Sequence, residues 1–223
     1  MKHLLITIDG PSGAGKTTVS HRLAKRLGYT YVDTGALYRA VALAALSEGC
    51  SPHDDKRLAE ICGHLVLKFE NSSEGPRLYS NGKDITDHIR TSEITMLASA
   101  VSARSVVREY LLDVQREMGK QGSVVFEGRD MGTVVFPQAD VKFYLDADPD
   151  TRALRRYKEV LETDPAISLS GVKKAMKKRD EDDSSRTLAP LKPSDDAVII
   201  DSTFLDIEQV VDKMLTYIGV REK

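Results

Sequence analysis

Residues 4–18 read LLITIDGPSGAGKTT, and the reading of the whole chain turns on them. Leu4 to Ile8 is a short apolar run suited to a strand, and Asp9-Gly10 breaks it. Gly10, Gly15, Lys16 and Thr17 then stand at the G-x-x-x-x-G-K-[ST] spacing of a phosphate-binding loop. With so few Cβ atoms in the way, the backbone through Pro11, Ser12, Gly13 and Ala14 is able to curl around an anion and turn N–H groups inward. A helix opening near Lys16 adds the positive end of its dipole at the same point. The spacing predicts that the Gly10–Thr18 backbone cradles nucleotide phosphates, that Lys16 reaches the β- and γ-phosphates, and that the Thr17 hydroxyl ligates Mg²⁺. Lys16 is expected to be exposed when no nucleotide is bound. The plain alternative is a glycine-rich turn. Val19, Leu23 and Leu27, spaced four apart, favour a strand–loop–helix instead.

The rest of the composition sets limits. A chain of 223 residues suits one α/β domain with insertions and is long enough to bury a core without disulfides or structural metal. A formal net charge of −2 gives no support for binding a nucleic acid polymer or a membrane surface. Cys50 and Cys62 match no metal or redox spacing and read as idle thiols in a reducing compartment. No apolar run approaches the length of a membrane span, and strand residues run straight into the glycine loop with no secretory pattern before it. A cytoplasmic protein is expected, and the absence of a long exposed apolar face suggests a monomer.

Working outward, Tyr29 to Val32 reads as a second strand ending at Asp33-Thr34-Gly35, followed by a helix from Ala36 to Ser47 with Gly49 as its stop. Another helix is expected over Asp54 to Cys62. Near His64 the pattern changes. Leu65 to Phe69 and Arg77 to Ser80 read as strands around a polar turn at Asn71 to Gly75, and Asn81-Gly82 is a hairpin signal before a short strand from Lys83. Residues 64–103 are therefore expected to form an inserted antiparallel piece. Val107, Tyr110, Leu111, Val114 and Met118 mark a helix, Ser123 to Phe126 and Val141 to Leu145 buried strands, and Ala197 to Ile200 the last strand before an amphipathic final helix. Five nearly continuous apolar strands separated by helices predict a five-stranded parallel sheet with helices on both faces. Ligands should lie at the carboxyl ends of its strands, near Gly10–Thr17, Asp33–Gly35, Glu127–Asp130 and Asp146–Asp148.

Several charged residues near those ends have two readings. Thr34 looks like a helix N-cap, while Arg39, one turn on, could reach an anion. Arg129 suits a bidentate phosphate contact, or else pairs with Asp130 or Glu127 at the surface. Asp130 either meets a substrate or holds a neighbouring arginine. The charged stretch 152–186 would by itself be a solvated face, and Ser99, Arg104 and Arg108 could simply line an exposed helix.

Taken together, these blocks bring a family into view. IDGPSGAGKTT at 8–18, VDTGALYR at 32–39, IRTSE at 89–93, ASAVSA at 98–103 and VREYLL at 107–112 resemble bacterial cytidylate kinases, within the nucleoside-monophosphate kinase group of P-loop kinases. GRDMGTVVFPQADVKFYLDA at 128–147, KKRDEDDSSRTLAPL at 177–191 and VIIDST at 198–203 continue the resemblance in the family's order. It implies one kinase domain over residues 1–223, with 64–103 as the monophosphate-binding subdomain and about 151–170 as a short lid. It implies transfer of the γ-phosphoryl group of ATP to CMP or dCMP, with Mg²⁺. By the same resemblance, Arg39 and Arg129 would clamp the acceptor phosphate, with Thr34 and Asp130 beside them. Ser99, Arg108 and Arg186 would read cytosine, and Asp183 would accept from the sugar hydroxyls. Arg152, Arg156 and Arg179 would approach the transferring phosphoryl group.

Overall fold

The N-terminal apolar run becomes β1 (Leu5–Asp9), and the helix after the glycine loop is α1 (Lys16–Leu27), in a computed structural model that describes residues 3–72, 75–162 and 164–221. The first glycine of the loop has a strict reason. Gly10 has φ 146°, and a Cβ there would stand 2.0 Å from the carbonyl oxygen of Leu145, so the loop leaves β1 against the backbone of a neighbouring strand. The chain forms two compact units, Met1–Tyr31 with Gly122–Lys223, and Val32–Gln121.

In the first unit, β1 lies at the centre of a five-stranded parallel sheet of order β2-β6-β1-β7-β8. Its strands are β2 (Thr30–Asp33, which runs across the unit boundary), β6 (Val124–Glu127), β7 (Val141–Asp146) and β8 (Val198–Asp201). Ile6 pairs in register with Val125 on one side and with Val141 on the other, which brings the ends of β1, β6 and β7 together. Ile6, Ile8, Phe143 and Leu145 are wholly or almost wholly buried with Val19 and Leu23 of α1 and with Val210, Val211 and Met214 of α8 (Ile207–Arg221). At about 25 cal/mol per Å², each large apolar side chain buried there contributes about 1.5–3 kcal/mol. Helices α6 (Pro149–Leu161) and α7 (Leu169–Ser185) complete the unit. Of the stretch expected as a lid, Thr163 lies outside the described residues.

The second unit holds α2 (Thr34–Ser47), α3 (Asp55–His64), α4 (Ser92–Val101), α5 (Ser105–Gly119) and a three-stranded antiparallel sheet. That sheet is β3 (Leu67–Ser72), β4 (Gly75–Ser80) and β5 (Lys83–Asp84) in sequence order. Asn81 and Gly82 have φ 49° and 78°, the positive pair that a two-residue hairpin turn requires. The tip of the expected polar turn, Ser73 and Glu74, lies outside the described residues. The strand expected from Leu65 starts at Leu67, because α3 continues through Gly63 to His64 and Leu65 is its extended C-cap. Ser123 stays out of β6 because its φ is 52°.

Candidate active site

At the carboxyl ends of β1 and β6 the loop residues meet a set of acidic side chains. Gly15 caps α1 from a left-handed conformation, so no side chain caps that end and its amides stay available to a ligand. Thr17 and Thr18 are exposed, but Lys16 is only 4% exposed. The expectation of an exposed lysine is corrected, for a physical reason. The loop closes on its own lysine, whose Nζ donates to the carbonyl of Pro11 at 2.7 Å. Burial pushes the Lys16 pKa down to about 7, and the Arg129 and Arg179 charges push the same way against the pull of Glu127 and Asp9.

The Thr17 hydroxyl donates to Glu127 Oε1 at 2.9 Å, and the Tyr31 hydroxyl donates to Glu127 Oε2 at 2.6 Å. Glu127 is thus a buried partner of the loop, where the sequence had suggested a surface partner for Arg129. Asp9, the last residue of β1, accepts from the amides of Met131 and Gly132 at 2.9 and 2.8 Å. Those amides open a single π-helical turn, Met131–Val135, which no sequence periodicity had signalled. Burial raises the Asp9 pKa to about 6, partly offset by these two amides, with the Asp130 charge raising it further. Asp130 itself is buried, and its carbonyl accepts from Val134 and Val135.

Arg129 finds its partner 54 residues away. Its Nε donates to Asp183 Oδ2 at 3.0 Å and its Nη1 to the Gly128 carbonyl at 3.0 Å. Arg186 Nη2 donates to the other oxygen of Asp183, so one carboxylate, 2% exposed, holds two guanidinium groups. The surface pairings weighed for Arg129 give way to this one because Asp183 on α7 is buried beside it. Arg179 is half-buried, and its charge reaches Lys16. Arg156 is exposed and donates to Glu159 at 2.9 Å. Arg152 is buried and donates to the carbonyls of Ala147 and Ser12 at 3.0 and 2.9 Å and to Asp180 at 2.6 Å.

In the second unit, Asp33 rather than Thr34 caps α2. Its Oδ1 accepts from the amide of Ala36 at 3.1 Å, and its Oδ2 from Arg39 Nη2 at 2.6 Å. The helix begins two residues before the expected Ala36, which makes Thr34 its first residue, and Thr34 is buried. Arg39 keeps a buried Nε with no hydrogen-bond partner. Arg108 donates to the Ser102 carbonyl at 3.2 Å and lies 5.7 Å over the Tyr38 ring, a cation–π distance. Ser99 is half-buried on α4, and Arg104 forms a two-pronged ion pair with Asp55.

The residues that sequence reasoning passed over are Asp9, Tyr31 and Asp180, together with the partner role of Glu127. Asp9 had one available signal, its place immediately before the first loop glycine. Asp180 was hidden in a charge run, and nothing local marks Tyr31.

With the geometry in place, comparison with other proteins adds the family. The family described as cytidylate kinase matches residues 6–220. A protein of Geobacter sulfurreducens named cytidylate kinase is 50% identical over 220 residues, covering 99% of this chain and 94% of that protein. Another of that name from Syntrophotalea carbinolica is 45% identical over 222 residues, covering 100% and 94%. A crystal structure of an uncharacterized protein from Eubacterium ventriosum shares the fold, with a TM-score of 0.52 at 13% identity over 97% of this chain and 98% of that one. A match running from β1 into the final helix, with relatives about half identical over nearly their full lengths, means that this chain belongs to the cytidylate kinase family.

Proposed function

We propose that the chain transfers the γ-phosphoryl group of ATP to CMP or dCMP, giving ADP and CDP or dCDP, and that it works as a monomer. The observation that carries this reading is the gathering of cations at the glycine loop. Arg129 and Arg179 lie near enough to a buried Lys16 to depress its pKa. Two guanidinium groups held within electrostatic reach of the loop lysine make a site for polyanions. The acceptor phosphate is already a competent nucleophile, so no general base is needed, and the obstacle is the mutual repulsion of two polyanions.

In this reading the Gly10–Thr18 backbone and Lys16 bind the ATP phosphates. Thr17 would hold Mg²⁺ together with those phosphates. Its hydroxyl and the Glu127 carboxylate, 2.9 Å apart, are oxygen donors of the kind a hard cation takes. When bound there, the ion neutralises phosphate charge. By the family resemblance, Arg39 and Arg129 are read as binding the acceptor phosphate, and Thr34 and Asp130 as serving the same substrate. Arg39 spends one nitrogen on Asp33 and keeps a buried, unpartnered Nε for a phosphate oxygen. Arg156 and Arg179 serve the transferring group from the lid side. Residues 64–103 are read as the monophosphate-binding piece and about 151–170 as the lid, whose closure would exclude water and suppress ATP hydrolysis.

Base choice follows from matching donors to acceptors. Cytosine presents N3 and O2 as acceptors and its amino group as a donor. Uracil keeps O2 but has N3–H in place of the N3 acceptor and O4 in place of the amino donor. Arginine has only donors, so Arg108 or Arg186 aimed at N3 suits cytosine and sets donor against donor in uracil. The Ser99 hydroxyl is free to turn and accept from the amino group. A buried donor left unpaired costs on the order of 1–3 kcal/mol, so CMP is expected to exceed UMP at least roughly tenfold in kcat/KM. Arg108→Met and Arg186→Met, made separately, are each expected to lower kcat/KM for CMP more than for UMP. Equal losses for the two substrates in both variants would reduce these arginines to general phosphate binders.

A further inference from the structure

We propose that Arg152 and Asp180 form a positioning pair that holds both backbone groups of Ser12 outward, so that the following Ser12–Gly13 peptide turns its N–H rather than its carbonyl oxygen toward a phosphate. The inference rests on reading Gly10–Thr18 as the ATP cradle and deepens it, because Arg152 takes a part other than contact with the transferring group.

The two peptides on either side of the Ser12 Cα point in opposite senses. No peptide bond among the described residues is cis, and in a trans peptide the C=O and N–H point in opposite directions. The Pro11 carbonyl accepts from Lys16 Nζ at 2.7 Å. The N–H of that same peptide, carried by Ser12, points the other way and meets Asp180 Oδ1 at a long 3.4 Å. The next peptide is reversed. Its carbonyl, on Ser12, accepts from Arg152 Nη1 at 2.9 Å, so its N–H, on Gly13, faces away from Arg152. Asp180 Oδ2 accepts from the same Nη1 at 2.6 Å, and Arg152 Nε is tied to the Ala147 carbonyl at 3.0 Å. One ion pair therefore takes the outward N–H and the outward C=O of a single residue.

Packing holds the arrangement in place. Arg152 is 7% exposed, with Nε and Nη1 committed to protein partners. Gly13 has φ 74°, and a Cβ on it would stand 2.8 Å from the Arg152 carbonyl and 2.7 Å from Met176 Cε, so the loop apex is seated directly on α6 and α7. Four residues further along α6, Arg156 is exposed and pairs with Glu159 on its own helix, which is the contrast expected between a lid arginine and a brace. Without the pair, the Ser12–Gly13 peptide is free to reverse and set its carbonyl against phosphate oxygen. Nucleotide affinity then falls by the fraction of loops left in the competent arrangement.

The test is a double-mutant cycle on the full chain, with ADP binding measured by calorimetry in the absence of CMP. Arg152→Met and Asp180→Ala are each expected to weaken ADP binding about tenfold or more, and the double variant to stay within about twofold of the weaker-binding single one. KM for ATP should rise with the ADP dissociation constant while KM for CMP stays within about twofold, a split that general loosening of the fold would not produce. In the ligand-free protein, the Ser12 amide, which meets Asp180, should exchange faster in each single variant. Losses that multiply in the double variant, as for an arginine meeting phosphate on its own account, would overturn the proposal. So would singles that bind ADP as the parent does. Should either substitution prevent folding, Arg152→Lys and Asp180→Asn carry the same cycle, with single losses of about threefold expected. Because ADP binding is read without an acceptor, failure to phosphorylate CMP would leave the result for this pair unchanged.

Discussion

Lys16→Met should lower phosphoryl transfer at least roughly 10²-fold, about 2.7 kcal/mol of transition-state stabilisation, while leaving a protein that folds well. The first effect follows from removing the cation that reaches the β- and γ-phosphates. The second follows from burial. Methionine fills nearly the same space without a charge, whereas Lys16 is 4% exposed with its pKa pushed down to about 7. A base whose pKa is lowered by folding contributes stability that is fully present above its unfolded value of 10.5. That contribution is lost as the pH falls through about 7. The unfolding free energy of the parent protein, and with it the unfolding temperature, should therefore fall relative to Lys16→Met as the pH is lowered from about 9 to about 6, the free-energy change being on the order of a few kcal/mol at most. Calorimetric scans across that range, alongside a coupled assay of ADP release, measure both effects. Near-normal turnover of the variant would remove Lys16 from the active site, and a gap that closes toward low pH would contradict the buried charge.

The second large effect is expected at Asp183. Its carboxylate, 2% exposed, is shared by Arg129 and Arg186, so Asp183→Ala strands two partly buried guanidinium groups at once. Removing one partner of a buried ion pair costs about 3–5 kcal/mol. In a chain of this size that corresponds to a fall of about 10 °C in Tm. Arg129 would also lose the contact that orients it, so kcat/KM for CMP should fall at least about 10²-fold. Asp183→Asn keeps the size and one acceptor and should lie between the parent and Asp183→Ala in both measurements. A Tm for Asp183→Ala within about 2 °C of the parent would show that the carboxylate is not the structural anchor of the two arginines.

These two residues also show how far the sequence could be read. The strand–loop–helix around Lys16 was legible because its signals are local: an apolar run, fixed glycine spacing, and a stripe at Val19, Leu23 and Leu27. The parallel sheet was legible for a similar reason, since buried strands write continuous apolar runs whatever they pair with. What could not be read is whatever depends on tertiary approach. The burial of Lys16 arises from a loop closing on its own Pro11 carbonyl, and Arg129 reaches Asp183 across 54 residues of sequence. The π-helical turn at Met131–Val135 starts at two amides held by Asp9, at the end of a strand more than a hundred residues earlier. The N-cap of α2 was misplaced by one residue because Asp33 and Thr34 are both good capping types, and local sequence does not choose between them. Asp180 sat inside a charge run whose most economical reading was a solvated helix face, yet it meets the phosphate loop.

The most direct measurement of the central claim is a substrate panel. With ATP and Mg²⁺ present, initial rates of ADP release would be taken for CMP, dCMP, UMP, AMP, GMP and no acceptor. The account predicts turnover with CMP or dCMP, with kcat/KM for the better of the two at least roughly tenfold above that of every other monophosphate, and little ADP release without an acceptor. Equal turnover of all the monophosphates, or ADP release that needs no acceptor, would contradict it.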